Sequence, residues 1–242
     1  KHSAVIQHDK NEFSVFASCH NENGDKQKIG FQRTRGDQFT CSIDGEHSKK
    51  LSDLVKQILE LPLLERLRLS SVEPNTINEE LLQVMKSSPK FLDHFHIPLQ
   101  SGNDEILKNM RRKYTTDDYR KVMAMILKYY PDAGIGADII VGYPGETDSQ
   151  FEETYKFLKE MPITHFHVFP FSKRKGTTAA GVDNHIQHGL KKERVKSLLM
   201  FGQAKLSLFA EDQIGRTSEV LFERRNDEGD FEGYTTNFVR VA

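Results

Sequence analysis

The feature that most constrains this chain is the spacing of its apolar residues, which from residue 51 onward alternates between helical and strand periods. Strand patterns are predicted at 65–71, 91–99, 134–141 and 165–171, and a helical pattern follows each of them. Four strand–helix units in succession favour a parallel sheet covered by helices. We therefore predict an α/β fold with a partial, TIM-like (β/α) barrel; a doubly wound sheet is the alternative that periodicity does not separate.

The helical segments carry their own start and stop signals. Pro62 ends the first helix, and Thr76 and Glu79 have capping-box spacing ahead of the second. Helical patterns are predicted at 51–59, 79–87, 104–112, 115–130, 151–158 and 190–209.

The domain organisation follows from where the alternation begins and ends. Residues 1–50 fit no β/α pattern and contain only brief apolar runs at 13–17 and 39–43. A polar connection at 182–189 precedes a long helix, and strand-like alternation resumes at residue 216. The predicted division is 1–50 unassigned, 51–189 the barrel, 190–215 a connecting helix and 216–242 an incomplete β-rich domain.

Composition restricts the functional classes. Charged residues make up 29% and hydrophobic residues 37% of the chain, and no apolar run approaches the length of a membrane span. We therefore expect a soluble protein without a membrane role. Only Cys19 and Cys41 are present, which favours a reducing compartment, the cytoplasm, over a disulfide framework. The oligomeric state is not predicted.

Candidate site residues lie where the predicted strands end, because the carboxyl ends of strands face the site in a parallel β/α fold. Glu73 follows the first strand and could accept hydrogen bonds from an ammonium group or a hydroxyl, or be a turn residue before Pro74. Asp138 interrupts an apolar strand, and a buried carboxylate has to be paired. The cofactor-binding candidates are Ser71, Glu73, Gln100, Ser101, Asp138 and Gly142.

Two glycines and two histidines lie close to these candidates in the sequence. Gly102 could let a ligand approach the backbone, and Gly142 lies in a tight turn that could bind a carboxylate or simply reverse the chain. His94 and His96 alternate on one strand face, but two histidines are too few for zinc and no third ligand is apparent. We therefore predict no metal site there.

Three blocks of sequence carry a resemblance. The blocks HFHIPLQSGNDEILKNMRRKY, ADIIVGYPGETDSQFEETY and HFHVFPFSKRKGTTAAG resemble the radical S-adenosylmethionine methylthiotransferases that modify adenosine 37 of tRNA. The resemblance covers residues 51–242 and is best to the branch acting on N6-threonylcarbamoyladenosine. The segment GRTSEVLFERRNDEGDFEGYTTNFVRV resembles the first half of a TRAM domain, a small RNA-binding β-barrel.

This resemblance implies an activity, its cofactors and its partners. The implied enzyme adds a methylthio group to C2 of N6-threonylcarbamoyladenosine, using S-adenosyl-L-methionine and two 4Fe–4S clusters, with tRNA and an electron donor as partners. The strand-end residues would hold S-adenosylmethionine, and Arg112 would pair with a carboxylate. The implied RNA contacts are Arg111, Lys173, Arg174 and Lys175, for which a solvated surface loop is the alternative.

The chain departs from the family at its cysteine motif. The family carries CxxxCxxC after the first barrel strand, whereas Cys19 and Cys41 are far apart and no third cysteine exists. The segments could be non-contiguous in the parent protein, the chain could be a truncated piece, or it could be a paralogue without a cluster; the intact ligand-facing pattern favours the first two. We expect little or no activity from this polypeptide alone.

Two other functions stay open. One is a non-catalytic RNA-binding module on a barrel that lacks its cluster. The other is a methylthiotransferase acting on a different tRNA base or on a ribosomal protein.

Overall fold

The computed structural model describes residues 3–9, 12–20, 26–34, 39–43, 46–48, 50–173, 178–182 and 184–242, with side chains from residue 50 onward except at 178 and 180. The helices are α1 Leu51–Leu59, α2 Glu79–Lys86, α3 Asp104–Asn109, α4 Thr116–Tyr129, α5 Asp148–Glu160 and α6 His188–Glu211. The strands are β1 Ser3–Asp9, β2 Glu12–His20, β3 Lys26–Thr34, β4 Phe39–Ile43, β5 Glu46–Ser48, β6 Leu67–Leu69, β7 Phe91–His96, β8 Gly134–Val141, β9 His165–Pro170, β10 Val220–Arg225, β11 Phe231–Thr235 and β12 Arg240–Val241.

The chain divides into two compact units, residues 1–67 with 79–91 and residues 68–78 with 92–242. In the first unit, β1 to β5 form an antiparallel meander in chain order. This assigns strands within residues 1–50, for which the sequence predicted no structure; the apolar runs at 13–17 and 39–43 lie in β2 and β4. The helices α1 and α2 complete this unit through the buried side chains of Leu54, Val55, Leu81, Leu82 and Met85.

The second unit contains the sheet that the sequence predicted. Its strand order is β6-β7-β8-β9, and β7–β8 and β8–β9 are parallel. The order follows the chain without reversal, whereas a doubly wound sheet reverses its order at a switch point. The observed sheet therefore fits part of a (β/α) barrel. The predicted domain bounds at 189 and 215 do not coincide with the division between units and stay a prediction.

Most predicted elements are present with adjusted ends. Strand β8 has the predicted bounds, whereas β7 ends at His96 because the chain then turns through Pro98, which cannot donate to a ladder. The predicted capping role of Thr76 is wrong, since Thr76 closes a short 3-10 turn and α2 begins at Glu79. Helix α4 does begin with a capping box, formed by Thr115 and Asp118.

The two faces of the sheet differ in chemistry. Alternate residues of a strand point to opposite faces, and the helix-covered face carries the apolar side chains of Phe95, Ile135, Ala137, Ile139 and Phe166. The opposite face, called here the polar face, carries His94, His96, Asp138, His165 and His167. So many polar side chains are unusual on one face of a parallel sheet, and they bring titratable groups into contact.

Helix α6 packs against β9, the last strand in the order of the sheet. It is longer than the predicted 190–209. Arg194, Leu198 and Gly202 are buried at four-residue spacing along one side. A Cβ on Gly202 would lie 2.8 Å from the Cβ of Phe166, so glycine permits the close approach to β9. No helix among the residues that the structure describes combines the length and apolarity needed to cross a membrane.

The carboxyl-terminal strands β10, β11 and β12 form an antiparallel sheet. A continuous strand over 231–241 was predicted, but a turn interrupts it, with Phe238 in the left-handed region at φ 72°. The Phe238 ring stacks on His94 with centroids 4.2 Å apart. Arg68 donates to the Thr235 carbonyl at 2.9 Å, so this turn is anchored to the barrel strands. The assignment to a TRAM domain stays a prediction.

Candidate active site at the strand ends

A charge pair stands beyond β6. Arg112 Nη1 donates to Glu73 Oε1 at 2.9 Å, and the side chains are 27% and 45% exposed. The Arg112 Nε is buried and, within the described residues, has no hydrogen-bond partner. Ser71, two residues before Glu73, is exposed and has φ 56°. The pair thus places a carboxylate and a partly exposed guanidinium together beyond β6, and the binding roles given to Glu73 and Arg112 stay predictions.

The turn that carries Arg112 is fixed by buried hydrogen bonds. Arg111 adopts φ 59°, and the Arg112 N–H donates to the Leu107 carbonyl at 2.9 Å. The Tyr114 hydroxyl donates to the carbonyls of Pro98 and Leu99, and burial raises the pKa of Tyr114 above its ordinary value. The phenol therefore remains a neutral donor that joins this turn to the end of β7.

The segment from Gln100 to Gly102 contacts β8 and helix α5, whereas the sequence suggested contacts with a ligand. Gln100 is buried at φ 67°, and its backbone bridges to β8 through the Asp138 carbonyl. The Ser101 hydroxyl is buried 3.2 Å from Thr154 Oγ1. A Cβ on Gly102 would lie 2.8 Å from Phe157 Cβ, so helix α5, and not a ligand, occupies the space beside this glycine.

A row of polar side chains crosses the polar face, one from each strand or strand end; we call Ser70, His96, Asp138 and His167 the polar row. His96 Nε2 lies 2.9 Å from Asp138 Oδ1, and His167 Nδ1 lies 3.3 Å from the same oxygen. Ser70 Oγ lies 3.4 Å from His96 Nδ1. Asp138 is therefore paired, as its sequence position required, although its partners were not foreseen.

His94 lies on the same face of β7 as His96, as its spacing predicted, but it contacts different rings. His94 lies one pleat further back, against the Phe238 ring and 6.0 Å from the His165 ring. Burial lowers the pKa of His94 to about 3 and that of His165 to about 4. Both imidazoles are thus neutral at physiological pH and belong to the packing beneath the polar row.

The turn after β8 is held by buried charges that the sequence analysis missed. The Gly142 N–H, at φ 75°, donates to Glu146 Oε2 at 2.9 Å, so this amide is engaged within the turn. Arg194 of α6 donates to the same oxygen at 2.6 Å and also to Asp148. Burial raises the pKa of Glu146, which the Arg194 guanidinium opposes. The available signal was an arginine four residues before Leu198 on the buried side of α6.

The predicted RNA-binding residues are only partly described. Arg111 and Lys173 are exposed, whereas Arg174 and Lys175 lie outside the described residues. Lys191, close to Gly142 at the start of α6, donates to the Phe171 carbonyl at 3.4 Å. Exposed positive charge therefore lies near the strand ends.

Comparison with known proteins gives a family match. The model of the Radical SAM superfamily matches residues 35–158. The threonylcarbamoyladenosine tRNA methylthiotransferase MtaB of Bacillus subtilis (strain 168) is 36% identical over 203 residues, covering 82% of this chain and 44% of the relative. The protein of the same name from Aquifex aeolicus (strain VF5) is 38% identical over 176 residues, covering 73% of this chain and 43% of the relative.

A solved structure agrees at the level of the fold. Coproporphyrinogen III oxidase from Escherichia coli, described as a radical SAM enzyme, has a TM-score of 0.51 at 16% identity. The similarity covers 64% of this chain and 36% of that one. The chain spans less than half the length of the curated relatives that it matches.

Proposed function

The chain belongs to the radical SAM superfamily, and from this we propose that it forms the barrel part of a tRNA methylthiotransferase. The proposed reaction adds a methylthio group to C2 of N6-threonylcarbamoyladenosine at position 37 of tRNA. The observation that carries the proposal is the identity of 36–38% to enzymes named for that nucleoside, over 73–82% of the chain.

The superfamily implies S-adenosylmethionine and a 4Fe–4S cluster, which together supply radical chemistry when bound. The residues present fit the first of these groups. Glu73 can accept from the ammonium of the methionyl part, and Arg112, whose side chain is 27% exposed, can donate to the carboxylate. The backbones of Gln100 and Gly142 lie at the same end of the sheet. The Ser101 hydroxyl is buried against Thr154 and stabilises this region of the chain.

The residues present do not supply a ligand set for the cluster. Three cysteines are expected in the family motif, and this sequence has Cys19 on β2 and Cys41 on β4. We therefore assign no step to the cluster on this chain. Our proposal attributes two clusters and an electron donor to the whole enzyme.

The chain's own residues would position the cofactor and admit the tRNA. Arg194, Glu146 and Gly142 hold the turn after β8 against α6, and Tyr143 donates to the Asn109 carbonyl at 2.8 Å. These contacts keep two strand-end turns at a fixed spacing. Exposed Arg111 and Lys173, with the proposed contacts Arg174 and Lys175, would meet the phosphate backbone.

The shortage of cysteines favours one other candidate, a barrel that binds RNA without catalysis. Anaerobic iron–sulfur reconstitution of the full gene product separates the two functions. The methylthiotransferase predicts a coloured protein that cleaves S-adenosylmethionine on reduction and modifies tRNA. A colourless protein that still binds tRNA would support the non-catalytic module instead.

A further inference from the structure

The polar row gathers metal-ligating atoms from three neighbouring strands. His96 Nε2, Asp138 Oδ1 and His167 Nδ1 all lie within 4.8 Å of one another. His96 and His167 come from the two strands that flank β8, so both imidazoles reach the Asp138 carboxylate. The third ligand that the sequence did not reveal is therefore provided by strand pairing.

The spacing of these atoms suits a shared cation. Nitrogen and oxygen ligands lie about 2.0–2.2 Å from a bound zinc ion, which places neighbouring ligand atoms about 2.8–3.6 Å apart for coordination angles between octahedral and tetrahedral. The two nitrogen-to-oxygen distances of 2.9 and 3.3 Å already have that size. Two histidines with one carboxylate form the protein ligand set of catalytic zinc sites and of facial iron(II) sites.

The surroundings of the row support the same interpretation. Ser70 Oγ contacts His96 Nδ1, the ring nitrogen that a metal at Nε2 would leave free, and histidine ligands are commonly oriented by such an outer hydrogen bond. No Lys or Arg of the described residues forms an ion pair with Asp138. A bound cation would compensate the charge of this carboxylate.

Access to the row is also present. The side chains of His96, Asp138 and His167 are 13%, 21% and 50% exposed, so a cation can enter from the His167 side and retain open coordination positions. The strand backbones hold the row in place, since Ile97 N donates to the Gly136 carbonyl at 2.9 Å. We propose that His96, Asp138 and His167 bind one divalent transition-metal ion, with its open positions available to a nitrogen or oxygen donor.

The test is direct metal binding by the 242-residue chain, without S-adenosylmethionine or tRNA. The metal-stripped protein is titrated with Zn²⁺ in competition with a chromophoric chelator, and with Co²⁺ followed by its visible absorbance. We expect one site, with a Co²⁺ spectrum of nitrogen and oxygen ligands that lacks a sulfur charge-transfer band. The proposal is overturned if the unsubstituted 242-residue chain binds no metal, or binds it with thiolate ligands only.

Variants locate the site. Asp138→Asn removes the charge with little change of shape, and His167→Gln removes a half-exposed ligand; each should weaken Zn²⁺ binding by at least about 100-fold, and Ser70→Ala by about 10-fold. His188→Gln, an exposed histidine outside the row, is the matched control and should bind as the parent does. Unchanged binding in both Asp138→Asn and His167→Gln contradicts the assignment.

A folding readout keeps these outcomes interpretable. Circular dichroism verifies each variant, and Zn²⁺ should raise the melting temperature of the parent and of His188→Gln but not of His167→Gln, because a ligand stabilises only the state that binds it. An equal Zn²⁺-dependent rise in His167→Gln counts against the site. Since neither readout involves methylthio transfer, failure here leaves the proposed function standing, and the reverse also holds.

Discussion

At the scale of single residues, a few buried contacts hold the turns at the strand ends. Arg194 and Glu146 have side chains only 4% and 2% exposed, and Glu146 would be an unpaired buried carboxylate without Arg194. Removing one partner of a buried pair leaves an uncompensated charge, whereas an exposed pair contributes little.

We predict that Arg194→Met lowers the free energy of unfolding by about 3 kcal/mol. Arg216→Met is the matched control, since its pair with Asp132 is 48% and 58% exposed and should change stability by less than about 1 kcal/mol. Urea denaturation of both variants measures the difference. Equal losses would show that the Glu146 pair does not brace the turn after β8.

Gly102 tests the contact between β7 and helix α5. We expect Gly102→Ala to destabilise the protein by about 1–3 kcal/mol, because its Cβ would overlap Phe157 and Thr154. Gly189→Ala has open space around it at the start of α6 and should be neutral or stabilising by up to about 1 kcal/mol. Thermal unfolding compares them, and an unaffected Gly102→Ala would remove the packing explanation for this glycine.

At the scale of elements, one aromatic ring adds to the Arg68–Thr235 hydrogen bond in fixing the turn between β11 and β12 to the barrel strands. Phe238 lies between His94 and Tyr234, with stacked centroids 4.2 and 4.5 Å away, and Arg68 covers it at 4.9 Å. A Cβ on Gly134 would collide with the Asn237 carbonyl, so the strand start is shaped to receive this turn.

Truncating this ring should release the turn. Phe238→Ala is expected to cost about 2 kcal/mol and to speed amide hydrogen exchange in β11, since the ring's apolar burial is lost. Ile214→Ala, which changes an exposed side chain outside this sheet, is the control and should leave β11 exchange near that of the unsubstituted chain. Slow exchange in both variants would mean that other contacts anchor the segment.

At the scale of the whole molecule, the sequence predicted the β/α order because each strand and helix has its own periodicity. The bounds of β8 and the start of α4 near Thr115 required only local information. The contacts within the polar row could not be predicted from the sequence. Its members are separated by more than 25 residues in the chain and meet only through the register of β7, β8 and β9. The same holds for Glu146 and Arg194.

Some expectations failed for physical reasons that only packing reveals. Ser101 and Gly102 were expected near a ligand, but helix α5 takes that space. The strands of residues 1–50 were missed because their apolar runs are short and the remaining positions are polar. The absence of the family's cluster motif, in contrast, follows directly from the sequence, because the motif needs three cysteines and this chain has two.

The central claim is that this barrel serves methylthio transfer to N6-threonylcarbamoyladenosine in tRNA. The most direct test is mass spectrometry of tRNA nucleosides from a strain lacking the gene, compared with the same strain carrying the intact gene. We predict that the 2-methylthio form disappears in the deletion, that N6-threonylcarbamoyladenosine accumulates, and that the gene restores the modified nucleoside. An unchanged level of the methylthio form in the deletion strain would contradict the account.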